Sequence, residues 1–285
     1  MSGPAQPRRA IVNADDLGMS RGITEGILRA HAGGIVTSAT IMVNSPFAED
    51  AAKRLREFPS LGVGVHLNAS QGPVLSKEGE ALVNADGVME WKTPALAGRC
   101  VFSPKLLRAI EAEFDAQIRR ALDLGIRPTH LDTHRHLHAF PPVFRRVVKL
   151  AARYGVPFVR RPYERLKGRG WPEPPAGGRQ RRLLLNHFSR MNARSNGKVQ
   201  PTLGTWGIAH TGQIDAAWLI RAAASLPEGV TEIMTHPGLA DDVDPALTRL
   251  TQSRARELDA LCDPEVRRAF EHNHVELVHY GHLRG

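Results

Sequence analysis

The side chains best suited to chemistry are concentrated in residues 129–138, where ten positions hold four of the thirteen histidines together with Asp132. Imidazole is the commonest metal ligand near neutral pH, and a neutral ring costs little to remove from water. We therefore predict a metal site that uses part of this histidine cluster. The alternative is a histidine-rich loop without ligands.

Acidic or imidazole side chains also follow three apolar runs elsewhere in the chain. Residues 13–16 read Asn-Ala-Asp-Asp, residues 64–68 contain His66, and residues 234–238 contain His236. Taken singly, either histidine would more often be an ordinary core or loop residue. Because each run is typical of a β-strand, the groups would meet if the strands lie side by side and end on one face.

The neighbouring acids Asp15 and Asp16 are predicted to have different roles. Adjacent side chains of an extended backbone point in opposite directions, so the pair is poorly placed to bind one ion together. One carboxylate would bind the metal, and the other would act as a base toward the attacking water. Alone, Asp-Asp before Gly18 is also a common turn or helix N-cap signal.

The histidine cluster holds more candidate ligands than one ion needs. His130, Asp132 and His134 share one face if the strand continues, and His136 and His138 follow in the loop. One Asp with two His already leaves positions open for water and substrate. The spare members are expected to hydrogen-bond the ligands or to line the pocket.

About seven alternating strands and helices must position these motifs. Apolar runs predict strands at residues 10–15, 36–43, 61–68, 128–132, 157–159, 230–235 and 275–278. Spacing and cap signals predict helices at residues 20–33, 46–58, 104–124, 179–194, 214–226 and 249–272, and one that begins at Pro141. Residues 71–103 form an excursion with a predicted turn at residues 85–87.

This alternation favours a closed or nearly closed parallel α/β barrel. An open doubly wound sheet is the other arrangement for such a pattern, but no G-x-G-x-x-G motif follows the first strand. Active sites of barrels lie at the C-terminal ends of the strands, where all four polar motifs fall.

Composition places the chain among ordinary globular proteins, with 285 residues, 42% hydrophobic and 24% charged. Cys100 and Cys262 form no CxxC pair, which argues against a zinc ribbon or a disulfide scaffold and fits a reducing compartment. No apolar run is typical of a signal peptide or a membrane span. We predict a cytoplasmic protein.

Residues 160–200, here called the basic segment, carry the entire net charge of +9, since they hold eleven Lys or Arg against two acids. Such a segment can attract nucleic acid, anionic lipid or an acidic partner, or it can be a solvated loop and helix. No helix-turn-helix, RNP or zinc-finger pattern supports nucleic-acid binding. Peripheral contact with an anionic membrane and homo-oligomer formation are left open.

Together the motifs resemble the YdjC/ChbG-like carbohydrate deacetylase family. The match runs through residues 11–20, 33–44, 62–68, 128–134 and 236–238. Because it reaches both ends of the chain, it implies one domain over residues 1–285 with insertions at 71–103 and 160–212. The chain has Leu17, Arg135 and Thr235 where family members often have Phe, His and Cys. One branch of the family is associated with hopanoid glycolipid synthesis, another with chitin-derived oligosaccharides.

The resemblance implies a distorted TIM-like (β/α) barrel that binds one divalent cation, zinc or magnesium, through Asp16, His66 and His134. It also implies that Asp15 is the base and His236 the acid that protonates the leaving amine. The remaining candidates for substrate binding or for support of the ligands are Asn68, His130, Asp132, His136 and His138.

The implied activity is hydrolytic removal of acetyl from an N-acetylated amino sugar in an oligosaccharide or glycolipid, with release of acetate. A bound cation would lower the pKa of water from about 15.7 toward about 7 and polarise the acetyl carbonyl. The alternative is a metal-dependent phosphoesterase or amidohydrolase on a similar barrel. Those sites usually begin with His-x-His after the first strand, where this chain has Asp-Asp.

Overall fold

A parallel sheet forms the centre of the protein. The computed structural model describes residues 6–166, 168–196, 199–239, 243, 245 and 248–283. The strands are β1 (Arg8–Leu17), β2 (Ser38–Ile41), β3 (Gly62–Leu67), β4 (Gln71–Gly72), β5 (Met89–Glu90), β6 (His130–Thr133), β7 (Phe158–Val159), β8 (Thr205–Trp206), β9 (Gly229–Thr235) and β10 (Val275–Leu277). All of them except the antiparallel pair β4 and β5 belong to this sheet.

The sheet curls into a half-barrel. Its strand order is β7-β6-β3-β2-β1-β9-β8, and β10 also pairs with β1. Thr205 of β8 donates backbone and hydroxyl hydrogen bonds to the carbonyls of Tyr163 and Arg161, just beyond β7, at 2.9 and 2.8 Å. Arg160, at the end of edge strand β7, reaches Glu232 in β9 at 2.8 Å across the interior. The two edges of the sheet therefore approach each other.

Helices flank this sheet. They are α1 (Arg21–Ala32), α2 (Ala48–Arg54), α3 (Thr93–Phe102), α4 (Pro104–Asp123), α5 (Pro141–Arg153), α6 (Gly178–Asn196), α7 (Ala216–Ser225), α8 (Gln252–Cys262) and α9 (Pro264–His272). Short polar side chains cap the N-termini of several of these helices. The side chains of Ser20, Ser103 and Asp215 accept backbone N–H bonds from the first turns of α1, α4 and α7, which satisfies donors that lack a helical partner.

The predicted α/β class and distorted barrel are confirmed. The chain order contains seven βα units before β10, and each of the seven predicted strands falls within two residues of an observed one. All seven residues of β9 and eight of the ten in β1 are buried, as expected for parallel strands covered on both faces. The single domain with two insertions stays a prediction.

Three expectations about individual elements were wrong or incomplete. The single helix expected over residues 249–272 is broken into α8 and α9, because Asp263 caps a new helix and Pro264 occupies its first position. The excursion at residues 71–103 contains α3 and the small β4–β5 sheet. The two-residue strand β8 was not predicted because so short a run has no clear alternation.

The basic segment is not a uniform cationic surface. Arg160 is fully buried, and Arg161 and Arg181 are half-buried. Leu183 and Leu184 of α6 are exposed, at 64% and 49%. Lys167 and Lys198 of this segment lie outside the described residues. Arg160 therefore contributes to neither a cationic surface nor a solvated loop. Among the described helices, none is long and apolar enough to cross a membrane.

Candidate active site

Three side chains on or just beyond separate strands meet at the C-terminal ends of the sheet. Oδ1 of Asp16, at the end of β1, lies 3.3 Å from Nδ1 of His134 and 3.5 Å from Nε2 of His66. The two ring nitrogens are 3.3 Å apart. We call Asp16, His66 and His134 the ligand cluster. These groups lie close enough together to hold a metal ion.

Asp16 leaves the strand geometry that the sequence pattern assumes. Its φ angle is 72°, and the pairing register of β1 with β2 shifts between Ala14 and Leu17. Asp is one of the few non-glycine residues that adopt this left-handed conformation with little strain. This left-handed turn points the Asp16 carboxylate toward His66 and His134, whereas the Asp15 carboxylate faces Arg160.

One oxygen of Asp16 binds Arg254, and the other faces the two histidines of the ligand cluster. Arg254 donates to Oδ2 at 2.6 Å, whereas Oδ1 has no hydrogen-bond partner among the described residues. Burial alone would raise the pKa of Asp16, but the Arg254 guanidinium together with His134 and His66 outweighs it and holds the pKa well below the usual value. The buried carboxylate is therefore ionised and presents a free oxygen, which fits a metal ligand.

His66 presents a defined ring nitrogen to the ligand cluster. Its Nδ1 bonds Oδ1 of Asp132 at 2.8 Å, which leaves Nε2 facing Asp16. A carboxylate behind a histidine fixes the tautomer in this way at many metal sites. Burial opposes the charged ring, but the carboxylates of Asp132, Asp15 and Asp16 raise the pKa of His66 to about 9. A metal ion bound here would displace that proton.

Gln71, which the sequence analysis missed, orients His134. Its Oε1 lies 3.2 Å from Nε2 of His134 and accepts from Arg135 at 3.0 Å. Arg135 and His136 are left-handed, with φ of 54° and 55°, so the chain turns sharply after His134. Burial lowers the pKa of His134. A neutral ring with Nδ1 directed at Asp16 suits metal binding.

Asp15 and Asp132 also lie within ligand distance of His66, but a cation of the protein already occupies that position. The Arg160 guanidinium lies 2.6 Å from Asp15 Oδ1 and 2.6 Å from Asp132 Oδ2. Burial would raise the pKa of Asp15, yet Arg160, with smaller contributions from His66 and His236, outweighs it and lowers the pKa. Asp15 is therefore a carboxylate held in place by Arg160.

His236 follows β9 and is buried beside the ligand cluster. Its backbone N–H donates to Oε2 of Glu257 at 2.6 Å, and its Nδ1 has no hydrogen-bond partner among the described residues. Burial lowers the pKa of His236 to about 4. The ring is therefore neutral at pH 7 and has a free nitrogen.

The remaining members of the histidine cluster are separated. His130 stacks on Tyr280 with ring centroids 3.9 Å apart. His138 bonds the Thr133 hydroxyl at 2.8 Å through Nδ1 and the Arg160 carbonyl at 3.1 Å through Nε2. Both rings bond or stack on residues outside the ligand cluster. The strand face predicted to carry His130, Asp132 and His134 is also shorter than assumed. β6 ends at Thr133, so that face does not continue to His134.

Two further candidates lie at the border of the site. His136 is buried and its Nδ1 has no hydrogen-bond partner among the described residues. Asn68 donates to the Gln71 carbonyl at 2.7 Å and to Asn44 at 3.3 Å. Asn68 therefore supports the residue that orients His134.

Sequence reasoning missed Gln71, Arg160, Arg254 and Glu257. Arg160 directly follows a predicted strand, the same signal that identified the other site residues, but it was counted with the basic segment. Gln71 begins the excursion, and no pattern distinguishes it. Arg254 and Glu257 lie on a helix far along the chain.

The protein is expected to become less stable toward unfolding in acid, in part because the His138 ring becomes protonated. Burial lowers the pKa of His138 to about 4, against an unfolded value of about 6.5. The neutral ring therefore contributes stability above pH 6.5, and this contribution is lost as the pH falls through 4. Between pH 7 and 4.5 the stability advantage of wild type over His138→Gln should shrink by about 2 to 3 kcal/mol.

Urea unfolding of both proteins at several pH values measures this change. His187→Gln, at an exposed position of α6, is the control and should show no such change. A gap between wild type and His138→Gln that stays constant over this range would contradict a neutral buried His138.

The curled sheet and its ligand cluster define an α/β barrel with a candidate metal centre. The family model described as YdjC-like protein matches residues 9–272, and the chain belongs to this family. A carbohydrate deacetylase of Geobacillus stearothermophilus is 33% identical over 276 residues, which cover 96% of this chain and 97% of that relative. A carbohydrate deacetylase of Mus musculus is 33% identical over 299 residues, 96% and 94% of the two chains.

A solved structure shares this fold. It is a crystal structure described as a cellobiose-phosphate cleavage protein of Enterococcus faecalis V583, with a TM-score of 0.75 and 26% identity, and the match covers 97% of this chain and 99% of that one. The resemblance found in the sequence motifs is thus confirmed, and the relatives support a hydrolase of the deacetylase class.

Proposed function

We propose that the protein is a metal-dependent N-deacetylase that removes acetyl from an N-acetylated amino sugar and releases acetate. The observation that carries this proposal is the ligand cluster with its unpartnered Asp16 oxygen, flanked by Asp15 and His236. A site with a cation, a carboxylate and a neutral imidazole has the groups that amide hydrolysis needs.

The metal would be held by Oδ1 of Asp16, Nε2 of His66 and Nδ1 of His134. When bound, it would polarise the acetyl carbonyl and lower the pKa of the attacking water. One carboxylate and two imidazoles favour zinc, whereas magnesium prefers oxygen ligands.

Asp15 and His236 handle the proton in this proposal. Asp15 takes a proton from the attacking water while the new C–O bond forms, and His236 delivers one to nitrogen as the C–N bond breaks. Because His236 is neutral at pH 7, it must receive that proton during turnover, and the proton released by water is the source. The low pKa of Asp15 favours passing the proton on.

The proposed substrate is an N-acetylated sugar residue of an oligosaccharide or a glycolipid. The relatives are carbohydrate deacetylases, and they support a carbohydrate substrate. No observation favours the phosphoesterase or amidohydrolase alternative. Cytoplasmic location, contact of the basic segment with an anionic membrane and homo-oligomer formation stay predictions.

Acetate release tests the activity directly. Purified zinc-loaded protein is expected to release acetate from at least one of N-acetylglucosamine, chitooligosaccharides and N-acetylglucosaminyl lipids. It should lose this activity after chelation and regain it with metal. p-Nitrophenyl phosphate serves as the phosphoesterase control. Phosphate release without acetate release from any acetylated sugar would overturn the proposal in favour of the alternative.

A further inference from the structure

Two buried ionisable side chains on α8 reach two different parts of the candidate active site. Arg254 and Glu257 are 0% and 1% exposed. Spaced by three residues, they lie on the same side of the helix. Arg254 donates to Asp16 Oδ2 at 2.6 Å, and Glu257 accepts the backbone N–H of His236 at 2.6 Å. One helix therefore contacts both a residue of the ligand cluster and the predicted acid.

The loop after His236 is also fixed by α8. The backbone N–H of Gly238 donates to the Arg254 carbonyl at 3.3 Å. On its other side Gly238 packs against α1 so closely that a Cβ at Gly26 would lie 2.4 Å from the Gly238 Cα. The segment that carries His236 is thus held between two helices.

The buried positions of Arg254 and Glu257 argue that they serve the candidate active site rather than the stability of the fold. The ion pair between Arg254 and Asp16 is buried. Such a pair contributes little net stability compared with apolar residues of similar size, because both charges lose their hydration. Arg254 uses one Nη nitrogen on Asp16, while Nη1 of Arg254 and Oε1 of Glu257 have no hydrogen-bond partner among the described residues. Arg254 also turns the free oxygen of Asp16 toward His66 and His134.

We propose that Arg254 and Glu257 are positioning residues, and that α8 sets the placement of Asp16 relative to His236. Arg254 acts on the metal ligand, and Glu257 acts on the proton donor. The inference rests on the proposed function in taking Asp16 as a ligand, and it assigns to this helix a role that the ligand cluster does not reveal.

Metal affinity tests the Arg254 half without any activity measurement. Metal-free Arg254→Met should bind Zn²⁺ about 10- to 100-fold more weakly than wild type, in competition with a chromophoric chelator, since supporting groups of metal ligands have effects of this size. Arg254→Lys should lose less affinity, because a lysine supplies one charged donor without the planar fork. The melting temperature of each metal-free variant reports whether the fold is retained.

Kinetics test the Glu257 half. Glu257→Leu removes the acceptor for the His236 N–H and should lower kcat about tenfold or more, with Zn²⁺ affinity and KM unchanged. Glu257→Gln keeps one acceptor oxygen and should restore most of kcat. If the negative charge of Glu257, rather than its acceptor oxygen, were required for turnover, Glu257→Gln would not recover kcat.

The helix offers matched controls on its exposed side. Arg256→Met and Asp259→Asn remove one cation and one carboxylate from α8 where the structure has them exposed, and both should keep wild-type affinity and kcat. Wild-type Zn²⁺ affinity in folded Arg254→Met would overturn the Arg254 assignment. If Arg254→Met does not fold, wild-type affinity in Arg254→Lys overturns it instead. Wild-type kcat in Glu257→Leu would overturn the Glu257 assignment.

Failure of the proposed function has a different signature. If Asp16 variants keep full Zn²⁺ affinity, the ligand cluster itself is wrong. If wild type binds Zn²⁺ but releases no acetate, the reaction is wrong, and the affinity loss in Arg254→Met still supports positioning of Asp16.

Discussion

Asp16→Gly is expected to reduce bound zinc from about one ion per chain to almost none, and His66→Ala and His134→Ala should do the same. Each change removes one of the three proposed ligands, whose atoms lie within 3.5 Å of one another. Glycine is the better replacement at position 16, since it accepts the φ of 72° found there without added strain. Elemental analysis after dialysis measures the metal content.

The control for this series is His282→Ala, which removes an exposed histidine away from the ligand cluster. It should retain the wild-type metal content. Circular dichroism of every variant separates loss of a ligand from loss of the fold. Undiminished zinc in all three ligand variants would mean that the ion binds elsewhere in the protein.

Asp15→Asn and His236→Ala should keep the metal and lose the reaction. Each is expected to lower kcat about 10²- to 10⁴-fold, since each removes one proton-transfer group. Asn keeps the shape of Asp15, so Arg160 retains one of its oxygen contacts. Steady-state acetate release on the best sugar from the screen gives kcat, and metal content is measured on the same samples.

The control for these variants is His187→Ala, at an exposed position of α6. Its kcat should equal that of wild type. Wild-type turnover in either variant would exclude that residue from proton transfer. If only His236→Ala remains active, His136, which is buried with a free ring nitrogen, becomes the candidate acid.

The sequence was sufficient to predict where the site lies. Strands could be recognised from their apolar runs, and the C-terminal ends of parallel strands share one edge. Polar residues at the ends of those runs were therefore expected to converge, and Asp16, His66 and His134 do. What the pattern could not supply was the left-handed turn at Asp16, because it arises from pairing irregularity between β1 and β2.

The supporting charges were beyond sequence reasoning for a different reason. A charged residue is normally expected at the surface, and only tertiary structure reveals one that is buried with partners. Arg254 pairs with Asp16 across 238 positions of the chain, and Arg160 was hidden among ten other cations of the basic segment. No local spacing identifies such pairs.

The buried position of Arg160, at the end of β7, sets thermal stability against catalytic activity. Arg160 contacts Asp15, Asp132 and Glu232 where other barrels hold hydrocarbon layers. Apolar residues packed into the same volume would often make the protein equally or more stable, but they would remove the carboxylate beside the ligand cluster. Selection for heat resistance alone should therefore favour sequences that abandon this network, and a thermostable variant obtained in that way should be screened for lost turnover.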